Sequence, residues 1–384
     1  MPWCAEIFQP HLQEALGRLE RVQPSAYAAS RNHLQGAVSR LSPYITHGML
    51  TLPQVRDAVM QRHALPPDHK FIQELGWREF FAHVWRHRGD GIFSSLHEGP
   101  LPDAAYAREL PADIAQARTG LPVIDEAVRE LYASGYLHNH ARMWLASYIV
   151  HLRKVHWRVG ADWLYGHLID GDLASNHLSW QWVAGTGSHK PYLFNAENVA
   201  RFAPSAWHSA GTVVDVSYEQ LDELCRCMPV TQATQALPAQ LGAHTLTGTP
   251  QPRLLHEPPF ELRRATSADL AGAWIVHPWN LGEPPPRAAG LRRIGIFVRA
   301  FHQRWAWSER RWNFVRGRMQ EMGLDMLECV EPLPQDANTR DDLHLRPWLQ
   351  GHGALEPAPR IWAEPDRACH SFSQFWRRVQ PRAE

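Results

Sequence analysis

Leu168-Ile169-Asp170-Gly171-Asp172-Leu173-Ala174-Ser175-Asn176, followed by Trp180-Gln181-Trp182, is the stretch that decides how this chain is read. Helical spacing flanks it on both sides, so the Asp-Gly-Asp unit is a loop between helical segments. Two carboxylates around a glycine can bind calcium, but the further ligands of an EF-hand loop and its closing Glu are missing. The same carboxylates can hold a ribityl or adenine group by hydrogen bonds. A solvated turn is the third reading, and it leaves the neighbouring Trp-Gln-Trp and Asn176 unexplained.

Three further segments carry polar groups in helical register. In Ser39-Arg40-Leu41-Ser42-Pro43-Tyr44, two hydroxyls and a guanidinium beside a helix start can bind phosphate. The alternative is a plain cap by Ser42 with Pro43 in the first turn. The spacing predicts one helix from Phe71 to Arg88, with Phe71, Leu75, Phe80, Val84 and Trp85 buried and Gly89 after its end. Glu74, Trp77 and Arg78 share one face of it. Such a face can read and stack on a base, or it is a salt bridge beside a half-buried Trp. In His138-Asn139-His140-Ala141-Arg142-Met143, the side chains of Asn139, Arg142 and Met143 lie on one side, whereas His138 and His140 point apart and make a poor metal pair. A polar helix flank is the other reading.

Outward from these segments the fold class is mainly α. Helical signals run from Pro10 to about Pro204. One helix starts at Thr119-Gly120-Leu121-Pro122, carries the stripe Val123, Ile124, Ala127, Val128 and Leu131, and stops at Gly135. Another runs from about His138 to Val155, and Gly185-Thr186-Gly187 is a loop. Residues 1–227 therefore read as a helical domain and 228–260, rich in Pro, Thr, Gln, Ala and Gly, as a linker. Residues 261–384 read as a small α/β segment of unknown role. Its expected strands are Ala273–Val276, Ile294–Val298, Asp325–Val330 and Arg360–Ala363, with helices at Ser308–Met322 and Phe372–Val379. It lacks a Gly-rich phosphate fingerprint of its own.

Composition narrows the function. Lys+Arg and Asp+Glu are both 39, so a nucleic-acid contact must use a local patch rather than the whole field. The cysteines Cys4, Cys225, Cys227, Cys329 and Cys369 are odd in number, which suits reduced thiols and a cytoplasmic protein. Cys225-Arg226-Cys227 is a weak metal signal, and no metal is expected. The start Met1-Pro2-Trp3-Cys4-Ala5-Glu6 lacks the features of a signal peptide, and no apolar run is long enough for a membrane. A monomer is expected. The 17 Trp and 23 His fit either core packing or a cofactor pocket with an electron route.

Together, the four polar segments resemble the helical FAD-binding domain of photolyases and cryptochromes, over about half the chain, from Tyr27 to Asn198. The matching motifs are Trp77-Arg78-Glu79-Phe80, Thr119 through Asp125, Gly135 through Met143, Asp170 through Asn176, and Pro191-Tyr192-Leu193-Phe194-Asn195. The resemblance implies one non-covalent FAD. Tyr27 and the segment Ser39, Arg40, Leu41 and Ser42 would meet its phosphates and ribityl chain. Asn139, Arg142, Asp170 and Asp172 would line the flavin, with Asn176 near N5. Val38, Phe71, Arg78 and Gly171 complete the implied cofactor set.

Glu74, Trp77, Met143 and Trp182 match positions that hold a flipped cyclobutane pyrimidine dimer. Arg31, Asn139 and His140 complete the implied DNA-binding set. Asn139 and Met143 are the residue types of the cyclobutane-dimer class. Glu74 and Asn176 would act in catalysis, and Trp180 then Trp157 would carry electrons to the flavin. Tyr106 stands where the third Trp of the route is missing, and Trp163 or Trp144 are other exits. Trp157 is expected to end the helix that carries Asn139.

The departures are Val38 for a Thr, His140 for an Arg and Ala115-Gln116-Ala117 without a Trp. The family's N-terminal α/β antenna domain is expected to be missing, because the helical motifs begin within the first forty residues. The C-terminal segment then reads by analogy as a relocated or degenerate antenna-like domain. The implied function is light-driven repair of pyrimidine dimers in DNA. The competing readings are a cryptochrome-like photosensor and an interaction scaffold without flavin.

Overall fold

The computed structural model describes residues 8–228, 248–330, 332–333, 338–349 and 355–380. Cys4, the N-terminal segment before Phe8 and residues 229–247 of the expected linker lie outside the described residues. The helical part comprises α1 (Leu12–Glu20), α2 (Pro24–Ser30), α3 (Ser42–Thr46), α4 (Leu52–Arg62), α5 (Lys70–Arg88), α6 (Ala112–Ala115), α7 (Pro122–Ser134), α8 (Asn139–Ser147), α9 (Trp157–His167), α10 (Leu173–Ala184), α11 (Ala196–Phe202) and α12 (Tyr218–Arg226). Among the described residues no helix is long and apolar enough to cross a membrane.

Local chemistry sets the ends of the helices that matter. Pro122 opens α7, and Gly135 closes it in the left-handed region at φ 69°. Asp172 caps α10, accepting from the Ser175 N–H at 2.7 Å. Histidines cap α5, α8 and α9: the Nδ1 atoms of His69, His138 and His156 accept from the N–H two residues on, at 3.2, 3.1 and 3.2 Å.

The His156 cap corrects two expectations. The helix expected to reach Val155 ends as α8 at Ser147, passes through a wide turn at Tyr148–Leu152, and breaks where Lys154 takes φ 52°. Trp157 therefore opens α9 instead of ending the helix of Asn139. Ser42 is also not a cap. Leu41 holds that position without a side-chain bond, and the Ser42 hydroxyl turns to Asp170.

The C-terminal part comprises β1 (Leu254–Leu255), β2 (Arg263–Arg264), α13 (Ser267–Leu270), β3 (Trp274–Val276), β4 (Arg293–Val298), α14 (Arg299–Arg304), β5 (Trp307–Ser308), α15 (Glu309–Glu321), β6 (Asp325–Cys329), β7 (Asn338–Arg340), α16 (Arg346–Leu349), β8 (Leu355–Glu356) and α17 (Phe372–Val379). Six strands form a parallel sheet in the order β2-β6-β4-β3-β7-β8. Ile294 through Val298 of β4 are all buried, as a strand covered on both faces requires. Arg360–Ala363 is not a strand. Its Ile361 N–H donates to Glu79 on α5, and the outer sheet positions go to β7 and β8. Within the stretch expected to be a linker, β1 pairs antiparallel with β5.

One hydrophobic cluster runs through both parts of the chain. It joins Tyr44, Phe71, Leu75 and Ile169 to Trp274, Phe297, Trp307 and Phe314. A second cluster, with Ile124, Leu145, Trp144, Trp157 and Trp180, lies within the helical part. The C-terminal part thus packs against the helices, and Arg311 of α15 and His344 reach the Asp170–Asp172 loop and its following residue. Cys225, Cys227, Cys329 and Cys369 are not joined in disulfides.

Candidate functional site

Two adjoining chambers open where α2, α5, α8 and α10 meet. The first has a volume of about 320 Å³ and is lined by Tyr27, Arg31, Val38, Ser39, Arg40, Leu41, Ser42, Phe71, Glu74, Arg78, Tyr136, Asn139, Arg142 and Asp170. The second, about 190 Å³, shares Glu74, Arg78, Asn139, Arg142 and Asp170 with it and adds Trp77, Met143, Gly171, Asp172, Asn176 and Trp180. Every residue expected to bind the cofactor lines one chamber or the other. Tyr136 was not singled out from the sequence. Its ring lies 5.4 Å from the Arg142 guanidinium, a contact that no motif signals.

Arg142 is the hinge of the polar wall. Its Nη2 donates to both oxygens of the buried Asp170 at 2.9 and 2.8 Å, and its Nε donates to the Leu137 carbonyl. Burial opposes ionisation of Asp170. The Arg142 charge and the Ser42 hydroxyl outweigh it and hold the carboxyl below its ordinary range. Burial raises the pKa of the Tyr27 phenol, so it stays a neutral donor. Asn176 Nδ2 donates to the Ala161 carbonyl at 2.8 Å, which leaves Oδ1 for the chamber. Glu74 sits between Lys70 Nζ at 3.0 Å and Arg31 Nε at 3.7 Å.

The other expected substrate residues divide. Trp77 and Met143 line the second chamber. One face of Trp77 is stacked by Phe372 of α17, with centroids 4.1 Å apart and planes at 9°. Trp182 is not among the lining residues and is 40 % exposed, 5.8 Å from Tyr192. His140 turns inward, its Nδ1 2.7 Å from the Asn32 carbonyl, and burial lowers its pKa. Asp125 of the Thr-Gly motif accepts from the Thr119 and Gly120 amides, so that motif shapes a helix start and does not reach the chambers.

A line of aromatics leads away from the second chamber. Trp180 is buried against Gly160 of α9. Trp157 opens the same helix and donates to Ser95 Oγ at 3.0 Å. The His156 ring lies 5.6 Å from Trp157 and 6.3 Å from Tyr106. Tyr106 is only 8 % exposed, and burial pushes its phenol up to about 12. It is therefore a buried aromatic, and an electron that reaches it has not yet reached the surface.

His83, His87 and Glu364 could in principle hold a metal. The Cys369 N–H donates to His83 Nε2 at 2.9 Å, which places the ring proton on Nδ1, facing Glu364. Metal at Nδ1 needs the opposite tautomer. Arg86 and Arg360 also hold Glu364, so the cluster works as a polar clasp between α5 and the segment before α17.

With this geometry in view, comparison with known proteins gives a consistent result. The family model described as the FAD binding domain of DNA photolyase matches residues 71–211. Residues 71–211 are a photolyase-type FAD-binding domain. A deoxyribodipyrimidine photo-lyase of Streptomyces griseus is 35% identical over 166 residues, which span 42% of this chain and 35% of that protein. One from a Synechococcus strain is 32% identical over 214 residues, 50% of this chain and 43% of that protein. The chain thus spans less than half of either relative. A crystal structure of a Synechocystis cryptochrome aligns with TM-score 0.49 and 26% identity, over 59% of this chain and 57% of that one.

FAD is the cofactor of this domain, and the donor set fits it. Four arginines and two carboxylates line the first chamber, an excess of positive charge suited to a diphosphate. Amide, carboxylate and indole groups line the second, suited to a flat heterocycle with a polar edge.

Proposed function

We propose that this chain uses FAD and blue light to split cyclobutane pyrimidine dimers in DNA. The observation that carries the reading is that Glu74, Trp77, Asn139 and Met143 line the same chamber as Asn176 and Trp180. The names of the curated relatives support the substrate class. Bound FAD supplies light absorption and the electron that opens the dimer. The protein's part is to hold and orient. Trp77 and Met143 offer apolar walls for a base taken out of its stack. Glu74 and Asn139 offer polar groups to the pyrimidine edge, and the N–H donors of the Asn139 amide would stabilise charge developing on its carbonyls. Trp180, Trp157 and Tyr106 form the route by which electrons replenish the cofactor.

A photosensor that binds FAD without repair is the second reading, and three observations favour it. Phe372 covers one face of Trp77, Glu74 is held between two cations, and the half-buried His140, its Nδ1 engaged with the Asn32 carbonyl and its pKa lowered by burial, is a poor phosphate contact. The deciding experiment loads the full chain with FAD, reduces it, and illuminates it with an oligonucleotide carrying one thymine dimer. Repair is expected, together with tighter binding of dimer DNA than of undamaged duplex. Equal affinity for both, with no repair by fully loaded protein, would sink the repair reading.

A further inference from the structure

We propose that the C-terminal segment serves as the brace of the cofactor loop, with Arg311 and His344 as positioning residues that set its shape before FAD arrives. Asp170, Gly171 and Asp172 face the second chamber. From the opposite side, Arg311 Nη2 donates to the Gly171 carbonyl, and the Leu173 N–H donates to His344 Nε2 at 3.2 Å. That bond leaves the ring proton of His344 on Nδ1, which donates to Asp342 Oδ1 at 2.7 Å. The ring stacks on Trp279, with centroids 4.4 Å apart and planes at 9°. The loop's carbonyl and amide are therefore satisfied from behind, while Asp170 is held by Arg142 and Asp172 caps α10 with its other oxygen 3.5 Å from His344 Nε2.

Arg311 argues that this is more than packing. It is fully buried, and among the described residues no carboxylate comes within 4 Å of it. Its charge rests on the carbonyls of Tyr165 and Gly171 and on the faces of Trp307 and Tyr165, 4.1 and 4.7 Å away. A buried cation without a direct partner is costly, and an apolar side chain would fill the space with less desolvation. What the guanidinium adds is direction: a rigid donor fork aimed at one loop carbonyl. The fit leaves no room for another residue at the loop's centre. A Cβ on Gly171 would stand 2.6 Å from Arg311 Nη1 and 2.7 Å from the Tyr165 carbonyl. A loop fixed in its binding shape spares FAD the entropy of ordering it.

The inference rests on the cofactor assignment, and the test separates the two. Full-length protein is stripped of flavin, and amide exchange is followed in peptides covering 168–176. Protection of these amides in the flavin-free wild type is expected, and free exchange would overturn the brace. His344→Phe keeps the stacking on Trp279 but removes the acceptor. Its FAD dissociation constant is expected to rise about tenfold to a hundredfold, because the flavin must then order the loop, and its flavin-free melting temperature to fall, because the Leu173 amide and Asp342 lose their partner. His344→Gln, which restores an acceptor, should recover most of the affinity. Affinity of His344→Phe within about twofold of wild type overturns the proposal. If that variant fails to fold, the exchange measurement on the wild type decides alone. A wild-type chain that takes up no FAD would instead remove the cofactor assignment.

Discussion

Gly160→Ala tests how closely α9 holds Trp180. A Cβ at this position would lie 2.3 and 2.4 Å from two ring atoms of Trp180, and 3.3 Å from Ile149. Carbon atoms settle at about 3.5–4.0 Å, so the ring must move by more than 1 Å or the helices must part. Trp180 is 2 % exposed and cannot swing into solvent. Helix propensity favours alanine by about 0.8–1.0 kcal/mol. Overpacking costs about 1–3 kcal/mol, and with a rigid ring the upper part of that range applies. The net expectation is a loss of about 1–2 kcal/mol. The ring lines the second chamber, so displacing it should also shift the flavin absorption band and slow photoreduction. Urea unfolding, flavin content and the light-driven bleaching rate would be measured together. A variant as stable as wild type, with unchanged spectrum and rate, would refute the packing argument.

Four further outcomes rest on the same geometry. Trp180→Phe should block photoreduction by an external reductant, and Tyr106→Phe should shorten the charge-separated state at unchanged flavin content. Identical radical decay in parent and Tyr106→Phe by transient absorption would move the exit to Trp163, which is 7 % exposed where Trp144 is 0 %. Burial holds His151 and His167 neutral, each lowered to about 4. The unfolded chain therefore binds more protons below about pH 6.5, and stability should fall with pH from there to about 4, by about 1.4 kcal/mol per unit for each. His167→Gln should remove its share of that slope in urea melts. Phe372→Ala should cost about 1–2 kcal/mol, less than a fully buried Phe, and red-shift the tryptophan emission. If α17 competes with DNA at Trp77, the same variant should bind dimer DNA more tightly in a gel shift.

Much of the cofactor wall was legible because its residues sit in short motifs on helices. The spacing of Glu74, Trp77 and Arg78, and of Asn139, Arg142 and Met143, is a property of the helix itself. The break before Trp157 was not legible. Its cap is His156, and caps are ordinarily read from Ser, Thr, Asp or Asn. The strands Asn338–Arg340 and Leu355–Glu356 were missed because strands of three and two residues are too short to carry an apolar alternation. Arg360–Ala363 misled for the opposite reason, since Ile361 and Trp362 are apolar but pack beside α5. Arg311 and His344 were beyond reach. They lie 140 and 171 residues from the loop atoms they bond, and no local pattern records such a contact.

The zero formal charge of the chain and an anionic cofactor are reconciled by where the charges stand. Arg31, Arg40, Arg78 and Arg142 converge on the first chamber against Glu74 and Asp170, and Asp170 is engaged by Arg142. The local excess is positive and partly withdrawn from solvent, where charges are screened least. Flavin retention should therefore change little between low and moderate salt. Any grip on DNA has no such shelter, because phosphates would meet exposed side chains at the rim. Its salt dependence should follow the few contacts made there, and a shallow slope is expected beside that of a strongly basic binder. A steep slope would point to a basic surface that the chambers do not include.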